Sequence, residues 1–247
     1  MNYARPLPAV IASLTVAAAV HAADKPVHIF ILSGQSNMAG MNPKLGFEPE
    51  AKKLFADADV VYFKVAQGGR PIRLWVKQWD EMAAKHKLKP RNASPQYYAP
   101  ILSRYKQLLE KHPKPASVTF CWMQGERDAR EKLDAVYGEA LMQLITNLRK
   151  DLNQPEMNFV IGRLSDFGKS DNTPWQNIRK AQVDLANKDK RGAWVDCDDL
   201  NNKEKAGVTR DDLHYTRDGY ELLGRRYARQ AKALIEGKAS SADGRPK

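Results

Sequence analysis

The stretch VHIFILSGQSNMAG, residues 27–40, decides the fold. It opens as a mostly apolar run, Val27 to Leu32, and passes straight into small polar residues around Ser36. A strand buried on both faces reads as a near-continuous apolar run, and such strands belong to parallel sheets covered by helices. The polar cluster is then either a plain strand-to-helix turn or a nucleophile held at the mouth of the sheet.

Four further runs share the pattern: VVYFKVA (60–66), SVTFCWMQG (117–125), NFVIGRLSD (158–166) and GAWVDCDD (192–199). Helical spacing of apolar residues alternates with them at 99–112, 133–152, 174–188 and 216–237. In the second of these, Leu133, Val136, Tyr137, Leu141, Leu144, Ile145 and Leu148 form one stripe. Pro174 stands near the first turn of the third, with Thr173 as its expected cap. The alternation predicts a three-layer α/β/α sandwich with a mostly parallel five-stranded sheet. Residues 67–98 fit no clean element, and a long irregular segment in a compact domain is often functional. The end of the chain, 238–247, reads as a disordered tail.

Residues 1–22 read as a secretory leader: Arg5, then LPAVIASLTVAAAV, then VHA before Ala23. Pro6 and Pro8 interrupt the run, so an uncleaved anchor is the second reading. The expected domain is 23–237, exported to the periplasm or the exterior, with no membrane span after the leader. A hydrophobic content of 43% provides a sizeable core. The formal net charge is +11, but the basic residues are scattered through helical segments rather than blocked with aromatics. That pattern fits a solvated surface better than a nucleic-acid footprint, and no nucleic-acid partner is expected. Cys121 and Cys197 fall in or at the ends of strands, which suggests buried thiols, although an exported protein is able to pair them. No CxxC or HExxH spacing is present, so no metal site is read.

In an open α/β sheet, ligands bind beyond the carboxyl ends of the strands. Those ends carry Ser36, then Gly68, Gly69 and Arg70, then Gln124, Glu126 and Asp128, with Asp211 and His214 before the last helix. A serine hydroxyl needs a base to take its proton, usually a histidine held by a carboxylate. The D-x-x-H spacing of Asp211 and His214 allows both side chains to point one way. For the oxyanion, the candidates are the Ser36 N–H at a helix start, the N–H of Gly68 or Gly69, and the Gln124 amide. Each has a plainer reading: Ser36 as a cap, Glu126 and Gln124 as a polar cluster for strand-end backbone groups, Asp128 as the start of a helix. The G-x-S-x-G elbow is absent.

Together, GQSNMAG, MQGERDA and DDLHYTRDGYELLGRRYA resemble the SGNH-type hydrolases. Within them the chain is similar to the sialate O-acetylesterase-like group, which includes the acetylxylan esterases of carbohydrate esterase family six. The resemblance runs in order along essentially the whole chain after the leader. It implies a flavodoxin-like fold and metal-free, cofactor-free removal of O-acetyl groups from sugars. It places Ser36 as nucleophile, His214 as base and Gly69, or its neighbour Gly68, as the oxyanion glycine. Gln124 stands where many SGNH relatives have Asn, and Met123 where relatives often have His. For the acid it suggests Asp211 by spacing and Glu126 as the alternative.

Around these, Gln35, Asn37, Arg70 and Trp75 are the expected substrate contacts. Trp75, Trp79, Tyr97 and Tyr98 offer flat faces for sugar rings, with core packing as the competing reading. Arg70 and Arg73 are suited to a carboxylate or sulfate, which extends the expected acetylated carbohydrates to anionic ones. Two other readings stand beside this one: an esterase of different specificity with the same machinery, and a glycan-binding module without turnover.

Overall fold

The structure, a computed structural model, describes residues 1, 25–89, 93–168, 172–238, 241, 244 and 245. The leader reading, Met1 apart, lies outside them. In chain order the first half comprises β1 (Val27–Gly34), α1 (Ser36–Gly40), α2 (Phe47–Leu54), β2 (Asp59–Ala66), α3 (Trp79–Lys85), α4 (Tyr98–Lys111) and β3 (Ser117–Met123). The second half comprises α5 (Glu126–Arg130), α6 (Asp134–Asp151), β4 (Asn158–Gly162), α7 (Thr173–Lys188), β5 (Gly192–Val195), β6 (Asn202–Lys205), β7 (Val208–Asp211) and α8 (Arg217–Ile235).

Five strands form one parallel sheet in the order β2-β1-β3-β4-β5. This is the flavodoxin-like arrangement, and its strand order reverses between β1 and β3. The apolar runs are central for the reason expected: Ile29 to Leu32, Phe120 to Trp122 and Phe159 to Ile161 are fully buried. Side chains alternate across each strand, so the two faces receive different partners. Phe30 meets Phe47 of α2 edge to face, and α8 packs beside α2. On the other face the Trp122 indole donates to the Tyr137 hydroxyl of α6, which packs against α7.

The strands end sooner than the sequence suggests, at Met123, Gly162 and Val195, because the polar residues after each apolar run leave the sheet and turn across its top. Thr173 is the first residue of α7; its cap is Asn172, whose side chain accepts the Trp175 N–H. Thr216 caps α8 by accepting the Gly219 N–H at 2.9 Å. Residues 67–98 are not wholly irregular, since they hold a 3-10 turn (Ile72–Leu74) and α3. Nor are the described tail residues loose: the Asp196 N–H donates to the Gly244 carbonyl, and Arg245 pairs with Asp196 at 2.7 Å. The antiparallel pair β6–β7, which the apolar pattern does not predict, stands exposed on both strands. Cys121 and Cys197 are both buried and free. Burial pushes the Cys197 thiol up to about 12.

Candidate active site

Two glycines open the site. Gly34 ends β1 at φ +144°, and a Cβ there would sit 2.0 Å from the Met123 carbonyl oxygen. Gly125 follows β3 at φ +143°, where a Cβ would meet the Ile178 side chain at 2.9 Å. Both conformations are ones that residues other than glycine rarely adopt. The chain therefore turns sharply at the ends of the two strands that flank the switch point. Gln35 is locked to β3 by its N–H to the Met123 carbonyl at 2.8 Å, and α1 starts at Ser36. The far end of α1 is held by Lys64 of β2, whose ammonium donates to the carbonyls of Ala39 at 2.9 Å and Met41 at 2.8 Å. Burial lowers Lys64 below the ordinary lysine range.

Above this turn lies a cleft of about 340 Å³. Ser36 from the end of β1, Gly68 and Gly69 from the end of β2, Glu126 from the end of β3, and Leu213 and His214 from the loop before α8 all line it. Gln35, Arg127 and Arg130 complete the wall. Gly69 has φ +67° with nothing near its missing Cβ, so its conformation rather than crowding calls for glycine there. A Cβ on Gly68 would stand 3.8 Å from that of Ser36, which measures how closely this loop passes the serine.

Behind the cleft is a buried polar network. Asn37, next to Ser36, donates to Glu126 Oε1 at 2.9 Å and to the Leu213 carbonyl at 3.1 Å. Its own oxygen accepts the Tyr215 N–H at 3.3 Å and the Tyr220 hydroxyl at 3.1 Å. Glu126 is 3% exposed, and its Oε2 has no partner among the described residues. Burial pushes its carboxyl up to about 7 and the charge of Asp128 adds to this, while the Asn37 hydrogen bond opposes it. Asp128 is fully buried and also pushed up to about 7 by burial, against the hydrogen bonds from Gln124 and the Ile72 N–H. It accepts that Ile72 N–H at 2.9 Å and so ties the loop after β2 to α5.

Several expected contacts prove to be something else. Trp75 is fully buried, donates to Ser33 Oγ at 3.0 Å and stacks on Tyr97 at 4.5 Å, so it is a core residue closed to substrate. Trp79 and Tyr98 are buried as well. Asn37 is 1% exposed with its amide wholly engaged, and it supports the wall rather than contacting a ligand. Gln124, expected as an oxyanion donor, lies fully buried behind Gln35. Its amide nitrogen faces three acceptors: Gln35 Oε1, the Arg70 carbonyl and Asp128. An NH₂ group has two hydrogens, so none is spare for a substrate in this arrangement. Asp128, read as a helix start, is the network residue that the sequence pattern does not reveal; its i+4 spacing from Gln124 is the available signal.

Gln35 lines the cleft as expected, and its Oε1 accepts the Arg127 N–H at 3.2 Å. Arg70 is exposed on an adjoining hollow with Arg73, Ser94 and Gln96. Arg73 itself is paired with Glu131 at 2.7 Å. Asp211 is exposed at the end of β7, and no hydrogen bond joins it to His214 among the described residues. The turn between them is closed instead by Asp212, which accepts the His214 N–H at 3.0 Å and pairs with Lys203 of β6 at 2.9 Å.

The parallel sheet takes the order 2-1-3-4-5, with the serine turn at its switch point and the histidine loop lining the same cleft. The family model described as "Carbohydrate esterase, sialic acid-specific acetylesterase" matches residues 39–233, and the chain belongs to that family. It is accordingly a carboxylic ester hydrolase of the carbohydrate O-acetylesterase class. No curated protein matches it. Among solved structures, a protein from Arabidopsis thaliana is similar with a TM-score of 0.60 and 21% identity, over 87% of this chain and 100% of that one. A carbohydrate acetylesterase from Xanthomonas citri gives 0.56 and 19%, over 79% of this chain and 41% of that one. NanS gives 0.58 and 12%, over 86% and 98%. At these identities the likeness speaks for the fold.

Proposed function

We propose that this chain is an exported serine esterase that removes O-acetyl groups from a polysaccharide or sialoside through an acyl-enzyme. The observation that carries the reading is that Ser36 and His214, from opposite ends of the domain, line one cleft with Gly68 and Gly69. Ser36 Oγ attacks the acetyl carbonyl while His214 takes its proton. The tetrahedral oxyanion is met by the backbone N–H groups of Ser36, at the open start of α1, and of Gly69. His214 then returns the proton to the departing sugar oxygen. A water, deprotonated by the same imidazole, releases acetate and restores Ser36.

Asp211 is the acid that steadies the imidazolium. Its carboxylate has no hydrogen-bond partner among the described residues, so turning it to the His214 ring breaks none. Catalytic hydrogen bonds are often longer before substrate arrives. Glu126 suits the role less well, because burial makes its carboxyl hold a proton more readily and its Oε1 is already taken by Asn37.

The family description favours an acetylated sialic acid, and the likeness to the Xanthomonas citri carbohydrate acetylesterase favours a carbohydrate acetyl ester more broadly. Arg130 lines the cleft with no carboxylate paired to it among the described residues, and Arg70 is exposed nearby. Both support an anionic sugar. Export rests on the sequence of residues 1–22. Among the described residues no helix is long and apolar enough to cross a membrane.

The test is acetate release from an O-acetylated sialoside, acetylated xylan and an aryl acetate, by the wild type and Ser36→Ala. Release by the wild type alone is expected, fastest from the sialoside. Full activity of Ser36→Ala would sink the mechanism. Arg70→Ala is expected to weaken turnover of the anionic glycan while leaving the aryl acetate unaffected; equal loss on both would remove the anionic reading. N-terminal sequencing of the exported protein, expected to start at Ala23, tests the leader.

A further inference from the structure

Asn37 holds the backbone on both sides of His214. Its amide donates to the carbonyl of Leu213, and its oxygen accepts the N–H of Tyr215. The two remaining bonds fix the amide itself: Glu126 Oε1 takes its second hydrogen, and the Tyr220 hydroxyl donates to its oxygen. Both amide hydrogens and both oxygen lone pairs are thus assigned, which also sets the orientation of the group. Asn37 sits in the turn of α1 that starts with Ser36. The residue adjoining the nucleophile therefore carries the loop that bears the base.

We propose that Asn37 and Glu126 are positioning residues for His214: Glu126 anchors the Asn37 amide, and Asn37 sets the distance between the serine turn and the histidine loop. This rests on the Ser36–His214 reading above. Although Glu126 borders the cleft, its Oε2 is sealed from solvent and its Oε1 is taken by the Asn37 amide, so the carboxyl group acts through Asn37 rather than on the substrate. The Leu213 and Tyr215 contacts are to backbone, so no side chain on the loop replaces them. Misplacing a catalytic group by about 1 Å is able to cost on the order of 10²-fold in rate, and that is the scale on which this clamp is expected to act.

The test is a swap of donor and acceptor, read with an aryl acetate too small to touch the outer cleft. Asn37→Asp keeps the oxygen for Tyr215 and Tyr220 but removes the amide hydrogens given to Glu126 and to the Leu213 carbonyl. It is expected to lower kcat by about 10²-fold with KM within about twofold. Adding Glu126→Gln supplies a new amide donor toward the aspartate, and the pair is expected to regain about tenfold in kcat, the signature of direct coupling. A purely structural role would show as a lower melting temperature without that recovery. Wild-type kcat in Asn37→Asp, or no recovery in the folded double variant, would overturn the proposal. Should Asn37→Asp fail to fold, Tyr220→Phe decides: removing one hydroxyl is expected to lower kcat by about threefold at unchanged KM, and an unchanged kcat overturns the clamp. Ser36→Ala, run in parallel, separates the two readings, because full activity there removes the underlying mechanism whatever the clamp does.

Discussion

The two walls of the cleft are built in opposite ways. The wall at the ends of β1 and β3 is buried polar structure: Gln35, Asn37, Gln124, Glu126 and Asp128 are each 3% exposed or less and bonded to one another or to backbone. On the other side, Leu213 and His214 come from a loop that follows a two-stranded hairpin, ending at Asp211, in which every residue is exposed. The proposed nucleophile thus sits beside a network closed to solvent, while the proposed acid is offered from a solvated arm. Rigidity lies where the bond-making atom must be placed, and the group that only needs to be a nearby charge is left free to turn.

That contrast breaks or sharpens under substitution. The largest effect is expected from Asp211→Asn, about 10³-fold in kcat with an unchanged melting temperature, against a smaller loss in Glu126→Gln. Steady-state kinetics and thermal melts on both variants check it. The reverse order would move the acid into the buried wall. Next, Trp75→Ala is expected to destabilise the fold by about 3–5 kcal/mol with KM for a soluble acetylated sugar unchanged, as fits a core residue behind the wall. Urea denaturation measures the first and kinetics the second. A raised KM with full stability would return Trp75 to the substrate.

A subtler prediction concerns pH. Glu126 and Asp128 are each pushed up to about 7, so the folded protein binds protons more readily than the unfolded chain from the ordinary carboxylate range up to about 7. Their contribution is therefore favourable at low pH and lost as pH rises through 7. The unfolding free energy of the wild type relative to Asp128→Asn is expected to fall, by on the order of 1 kcal/mol or more, as pH rises from the ordinary carboxylate range to about 7. An equal slope in the variant would show that Asp128 is not protonated in the fold. Smallest of all, Cys121 and Cys197 are expected to stay silent to a thiol reagent until the protein unfolds, since both are buried. Rapid native labelling would mean that the core around the sheet opens.

The same contrast governs what the sequence discloses. Buried strands announce themselves, because an unbroken run such as Ile29–Leu32 has few other uses. Four of the five sheet strands begin at the expected residue, and β2 begins one residue earlier, at Asp59. The hairpin is silent, since NKEK and VTRD are exposed on both faces and carry no alternation. Helix α2 is obscured by its short length and by Pro49, and α3 by the irregular chain around it. That Ser36 and His214 share one cleft is legible because each stands at the boundary of a periodic element, where an open sheet gathers its ligands. Trp75 misleads because the segment from 67 to 98 has no period to say which side faces inward. Asn37 gives no sign of its part because its partners on the histidine loop are 176 and 178 residues away.

Gly34 and Gly125 leave one more mark. The atom in the way at Gly34 belongs to the backbone of the neighbouring strand, and at Gly125 the obstacle comes with a torsion that a side chain resists. A mutant at Gly34 must push the ends of β1 and β3 apart, and one at Gly125 must hold the strained torsion and displace Ile178 of α7. In a library of random variants selected for growth on an acetylated sugar, these two codons would return glycine alone. Gly69, open on all sides but left-handed, would also admit asparagine. The width of the crevice is inherited through two absent side chains, and selection would see them as sharply as it sees the serine.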